Sequence, residues 1–162
     1  MSRFPRFVRW GLVAVVGLIL LGVLATFIQA RRVSRPGNLG VIEGRLAPCP
    51  DTPNCVASDA TDPTQQLAAI PYTTTTAEAR QRLLAIVNSQ PRTRIIEEIP
   101  TYLAVVYRSA TFGFPDDVEF LFDEAAQQIR FRSAARMGKG DMGVNRARME
   151  EIRRRFLEDP AK

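Results

Sequence analysis

The chain has 162 residues and no histidine. That absence removes the general base of Ser-His-Asp and Cys-His nucleophilic arrangements and the commonest metal ligand. Cysteine is scarce, with Cys49 and Cys55 alone. Without histidine and without a C-x-x-C pair they make no zinc site, and neither a metal nor a cofactor is expected. The phosphate-cradling spacing G-x-x-x-x-G-K-[ST] is missing, and no internal repeat is visible. Lysine is nearly absent: of 22 basic residues, only Lys139 and Lys162 are not arginine. Cys55, Ser58 and Ser133 are nucleophiles by type only, with no base to activate them.

What is present begins with an uncharged run, Gly11 to Ala30. Twenty residues at helical rise span about 30 Å, the thickness of a bilayer core. Trp10 stands at its front edge and Arg31, Arg32 and Arg35 come after it, as expected of interfacial anchors. The run predicts a transmembrane helix over 11–30. A cleaved signal peptide competes with it, but would have an apolar region of roughly 7–15 residues ending in a small-x-small site. Ile28-Gln29-Ala30 matches that poorly, which favours an uncleaved signal anchor. A lipoprotein reading fails, because Cys49 lies far beyond the run and is preceded by Pro48.

Orientation is nearly balanced, with Arg3, Arg6 and Arg9 before the run and three arginines after it. The tail carries no acid, and a first hydrophobic segment behind a short basic tail usually exports the chain on its C-terminal side. The expected arrangement is a single pass through the inner, cytoplasmic membrane, with the lipid bilayer as partner of residues 11–30. Residues 31–162 then lie on the periplasmic or extracytoplasmic side. The chain divides into a basic tail (1–10), the transmembrane helix (11–30), a linker (31–46) and a soluble domain (47–158).

The linker carries Pro36, Gly37, Gly40 and Gly44, too punctuated for a regular element. Residues 47–63 read as a proline- and aspartate-rich loop. A Cys49–Cys55 disulfide would hold it and fits an exported domain; two free thiols are the alternative. A short strand falls within 67–74. Thr75-x-x-Glu78 is a capping box, opening a helix to about Asn88 with Ala79, Leu83, Ile86 and Val87 on one face. Pro91 ends it. Strand patterns come next at 94–99, 102–108, 117–122 and 128–133, the third alternating Val118, Phe120 and Phe122 against Asp117, Glu119 and Leu121. Asn145 is placed to cap a last helix that buries Met149, Ile152 and Phe156. The fold class is α+β: a two-layer domain with a four- to five-stranded antiparallel sheet and two helices.

Charge is segregated. Residues 31–129 hold 9 basic and 12 acidic groups, and residues 130–162 hold 10 and 5. The basic quarter centres on Arg130 to Arg148, a strand, a glycine-punctuated loop and a helix start. Glycines there allow converging backbone N–H groups, and a helix start favours an anion. Arg132, Ser133, Arg136, Gly138, Gly140, Gly143, Asn145 and Arg146 are the candidate anion-binding set. The ligand would be an anionic small molecule, a lipid headgroup or an envelope protein. The opposing expectation is that the arginines pair with Asp116, Asp117 and Glu119 as an internal brace fixing the last helix to the sheet. Those three carboxylates could also serve a metal-assisted or acid–base enzyme together with Arg132. The arginine stretch would suit a nucleic acid electrostatically, but export argues against one.

Three motifs carry a resemblance: P-C-P-D-T-P-N-C-V-A-S at 48–58, D-D-V-E-F at 116–120, and R-S-A-A-R-M-G-K-G-D-M-G-V-N-R-A-R-M-E-E-I-R at 132–153. Together, and in this order, they resemble the domain-of-unknown-function 1499 family across roughly residues 46–155. Ala135 stands where that family more often has serine. The resemblance implies one α+β domain of a bacterial envelope or chloroplast protein and supplies no mechanism.

Overall fold

The structure, a computed structural model, describes residues 5–158. It opens with α1 (Arg6–Arg32), which contains a stretch, Phe7–Arg32, long and apolar enough to cross a membrane. Its most apolar window is 0% buried against the rest of the chain, so it is not a core helix. Val33 leaves the helical region with ψ 115 and ends it.

The linker is more regular than its composition suggests. Val41–Ile42 (β1) and Arg45–Leu46 (β2) form a small antiparallel hairpin. Glu43 and Gly44 at its turn have φ 51 and 72, the pair of left-handed residues that a two-residue hairpin loop needs. The same glycine that reads as a breaker closes the hairpin. The proline-rich stretch is not loop throughout: it contains a buried strand, β3 (Cys55–Ala57). The Cys49–Cys55 disulfide fixes its start.

Next come β4 (Ile70–Pro71), α2 (Thr76–Asn88), β5 (Thr93–Ile99), β6 (Tyr102–Arg108), β7 (Pro115–Asp123), β8 (Gln128–Ala135) and α3 (Val144–Glu158). The capping box of α2 is complete, Thr75 accepting from the Glu78 amide and Glu78 from the Thr75 amide. Strands β5 to β8 form the expected meander, every pairing antiparallel. The sheet has six strands because two short segments share the outer edge of β8. Cys55–Ala57 lies opposite Arg132–Ala134, and Ile70–Pro71 opposite Gln128–Ile129. Pro71 is tolerated because β4 is an edge strand, and the two segments shield a long edge that would otherwise offer itself for pairing.

One face of the sheet carries Leu103, Val105, Tyr107, Val118, Phe120, Phe122, Ile129 and Phe131. Against it pack Ala79, Leu83 and Val87 of α2 and Met149, Ile152 and Phe156 of α3. Burying each large apolar side chain contributes about 1.5–3 kcal/mol. The opposite face is also covered. Tyr102, Ala104, Val106, Asp117, Glu119, Leu121 and Arg132 are all buried there. Linker residues Val33 and Gly40 and, just beyond the linker, Pro48 meet the polar groups of this face, accepting from Arg136, donating to Glu119 and accepting from Arg132 respectively. Segment 31–46 is therefore tied to the body of the domain through Val33 and Gly40, with its own residues exposed or half-buried.

Candidate functional site: two ion-paired networks and an arginine cleft

Successive strand residues point to opposite faces, and this splits the acidic triplet. Asp116 turns towards the helices; Asp117 and Glu119 turn towards the linker. On β8, Ser133 joins the helix side and Arg132 the linker side, and Arg136 just past the strand end also serves the linker side.

On the helix side, Arg148 of α3 donates to Asp116 Oδ2 at 2.6 Å, to Asn145 Oδ1 at 2.6 Å and to Ser133 Oγ at 3.2 Å. Its guanidinium lies over the Tyr107 ring, 4.6 Å from the centroid. Ser133 Oγ donates to Asn145 Oδ1 at 2.5 Å. Asn145 does not cap α3 as expected; it is buried inside the first turn, and Asp141 does the capping work. Asp141 Oδ2 accepts from the Asn145 amide at 2.8 Å and from its side chain at 2.7 Å, while Oδ1 accepts from the Gly143 amide at 3.0 Å. The disulfide loop locks onto this assembly through Asn54, which donates to Gly138 O at 2.7 Å and accepts from the Ala135 amide at 3.0 Å. Burial pushes the Asp116 carboxyl above its usual range, and Arg148 opposes that shift. Burial likewise raises the Tyr107 hydroxyl, again against Arg148.

The glycine loop adopts the left-handed backbone its composition allows, with φ 81 at Gly138 and 78 at Gly143. The Gly143 amide, however, is taken by the chain's own Asp141. The cavity beside the loop, about 360 Å³, is lined by Phe114, Pro115, Met137, Met142 and Val144, and its charged lining residues are Asp116 and Asp141. Arg146 points elsewhere, donating to Thr64 O at 2.7 Å and Gln66 O at 3.0 Å. The structure thus groups Ser133 and Asn145 with Gly138, Gly140 and Gly143, and separates Arg132, Arg136 and Arg146 from them.

On the linker side, Glu119 is 0% exposed. Its Oε1 accepts from Tyr102 Oη at 2.7 Å and from the Gly40 amide at 2.7 Å. Oε2 stands 3.6 Å from Arg132 NH1 and makes no hydrogen bond among the described residues. Arg132 Nε donates to Pro48 O at 3.3 Å. Arg136 grips Asp117 with both branches of its fork, at 2.7 and 2.6 Å. Burial pulls the Arg132 guanidinium below its usual range, with Glu119 opposing. It raises the Tyr102 hydroxyl, and there Glu119 adds to the rise. All three expected carboxylates are paired with arginine, and they do not converge. Among the described residues no group of three or more Cys, Asp or Glu is placed to hold a metal.

Beyond Arg136 the same face opens into a cleft of about 600 Å³ between the end of α1 and strands β5 and β6. Phe27, Arg31, Arg35, Arg92, Arg94, Arg108 and Arg136 line it together with the Ser109–Gly113 turn, and among the described residues no carboxylate does. Arg136 is neutralised by Asp117, and Arg35 approaches Glu97 at 3.8 Å. Among the described residues, Arg31, Arg92, Arg94 and Arg108 form no ion pair. Arg108 NH1 donates to Gly113 O at 2.8 Å and Arg92 Nε to Arg108 O at 3.2 Å, holding two of these heads at the rim. Sequence reasoning missed this cluster because its members lie in the half of the chain with an acidic balance. The available signal was the period-two spacing of Arg92 and Arg94, but the contributions of Arg31 and Arg108 needed the fold.

No curated protein and no solved structure matches the chain. A family match, described as Protein of unknown function (DUF1499), covers residues 45–156, from β2 to the last turns of α3. It takes in both ion-paired networks, whereas α1 and the linker residues that help wall the cleft precede it. The chain belongs to the DUF1499 family of proteins of unknown function.

Proposed function

We propose that the chain is a single-pass, membrane-anchored envelope domain that holds an anionic ligand in the arginine cleft and carries out no chemistry itself. The observation that carries this reading is the cleft of about 600 Å³, in which four arginines have no ion-pair partner and no carboxylate joins the lining among the described residues. Uncompensated guanidinium groups gathered around one cleft repel each other, and an anion relieves that repulsion while its oxygens accept bidentate hydrogen bonds. In this reading the Arg132–Arg148 stretch is a brace, of which only Arg136 borders the ligand. The enclosure of Asp116, Asp117 and Glu119 by guanidinium partners speaks against acid–base or metal-assisted catalysis by them.

The length and exposure of α1 support anchoring, and the basic tail supports export of residues 31–162 through the inner membrane of a bacterial cell. Two measurements test the proposal. Alkaline extraction of membranes should leave the full chain in the membrane fraction; a soluble product beginning near residue 31 would replace the anchor with a cleaved signal. Calorimetric titration of the full chain in neutral detergent with inorganic pyrophosphate should show binding that weakens at least tenfold in R31Q/R94Q. Equal binding by that variant, or none by either protein, would remove the cleft as the anion site.

A further inference from the structure

Resting on that reading, we infer that the anion is the phosphate-bearing headgroup of an anionic phospholipid, taken from the leaflet into which the C-terminal end of α1 emerges. The cleft is not built by the globular domain alone. One wall is the C-terminal end of α1, with Phe27 and Arg31, and both residues fall inside the membrane-spanning stretch Phe7–Arg32. A 26-residue helix is about 39 Å long, against a hydrocarbon core of about 30 Å. The surplus length puts its final turns at headgroup level.

The domain cannot float away from that level. Three residues past the helix, Arg35 already approaches Glu97 at 3.8 Å, and Val33 O accepts from Arg136 NH1 at 3.3 Å. The arginine heads are therefore presented at the membrane surface at a set height. Arg31 lies over the Phe27 ring, 4.2 Å from its centroid, an arrangement that suits a cation whose stem is in an apolar layer and whose head is in the interface. An aromatic ring beside a basic head is what an acyl–headgroup boundary favours. A soluble anion would need the arginines but not the apolar helix wall that carries Phe27.

The test uses the full chain in neutral detergent and three probes: dihexanoyl phosphatidylglycerol, dihexanoyl phosphatidylcholine and free glycerol phosphate. Phosphatidylglycerol should bind at least tenfold more tightly than either of the others, and R31Q/R94Q should reduce that preference to within about twofold. Both arginines are exposed, and neither side chain donates a hydrogen bond among the described residues, so the variant should fold; near-ultraviolet circular dichroism checks this. Should the pair fail to fold, R31Q and R94Q singly serve instead, each lowering the preference about threefold. R9Q, at the other end of α1, should leave the preference intact. Equal binding of phosphatidylcholine overturns the inference, as does an unchanged preference in the cleft variants or its loss in R9Q. Glycerol phosphate binding as tightly as phosphatidylglycerol also overturns it, while sparing the anion-site reading. Failure of all three probes removes both.

Discussion

Asp116 and Asp117 are adjacent in the chain and anchor segments on opposite faces of the sheet. Asp116 accepts from Arg148 on α3 at 2.6 Å, while Asp117 receives the Arg136 fork at 2.7 and 2.6 Å on the linker side. One strand thus ties the helix layer to the sheet with one carboxylate and the linker side with the next.

Removing one partner of a buried pair leaves the other charged, desolvated and alone. Arg148→Ala should therefore destabilise the full chain by about 3 kcal/mol, measured by thermal or denaturant unfolding in neutral detergent. Asp116→Asn should cost less than Asp116→Ala. It keeps an oxygen for Arg148 and sheds a charge that burial already disfavours. If Asp116→Asn were the worse of the two, the pairing account of this contact would be wrong.

Glu119→Ala strips the acceptor from Tyr102 Oη and the Gly40 amide and leaves Arg132 unpaired. A loss of about 3–5 kcal/mol is expected, together with faster amide exchange across residues 38–46, whose attachment runs through Gly40. Glu119→Gln retains the Oε1 acceptor, so linker protection should largely survive. Unchanged exchange in the alanine variant would show that the linker is held by other contacts.

The disulfide closes a short loop, Cys49 to Cys55, and chain entropy alone credits it with about 2 kcal/mol. Reduction, or Cys49→Ser with Cys55→Ser, should lower stability by that order. It should also loosen the Ala135 amide, which donates to Asn54 inside the loop. Hydrogen exchange at Ala135 reports this directly; protection equal to that of the oxidised protein would uncouple the loop from the glycine turn.

Glu151 on α3 is held down to about 2, from an ordinary 4.5, by hydrogen bonds from Arg154 and Arg155. Its folded-state value lies below the unfolded one, so its stabilising effect is fully present above pH 4.5 and disappears as pH falls towards 2. Wild type should melt slightly above Glu151→Gln at pH 7, with the gap closing by pH 2. The effect is small because the group is exposed. A gap that widened in acid would reverse the assignment.

Much of the domain was legible from local chemistry. Thr75 and Glu78 announce the start of α2 because each satisfies an amide of the other. Val118, Phe120 and Phe122 alternate because a strand packed against helices on one face must. Met149, Ile152 and Phe156 recur at helical spacing because α3 buries one stripe. The alternation that assigns Val118 and Phe120 to the core also separates Asp116 from Asp117, yet Asp116, Asp117 and Glu119, three acids within four positions, read as one cluster when spacing is judged along the chain. Asn145 has the residue type of a cap; Asp141 supplies the capping oxygens instead, which frees Asn145 to bridge Ser133 and Arg148.

A membrane-length helix, an α+β domain and a polar region shared between an acidic and a basic strand were all written in the order of residues. Those properties come from hydrophobic run length and from periods of 3.6 and 2, which act between near neighbours. Which charges cancel and which remain was settled only by folding. Arg132, Arg136 and Arg148 are absorbed by carboxylates that the strand register brings opposite or near them. Arg31, Arg92, Arg94 and Arg108, scattered over nearly eighty positions, meet in one cleft because the linker folds the end of α1 onto the β5–β6 edge. Coulomb interactions depend on distance in space, and no local pattern records that distance.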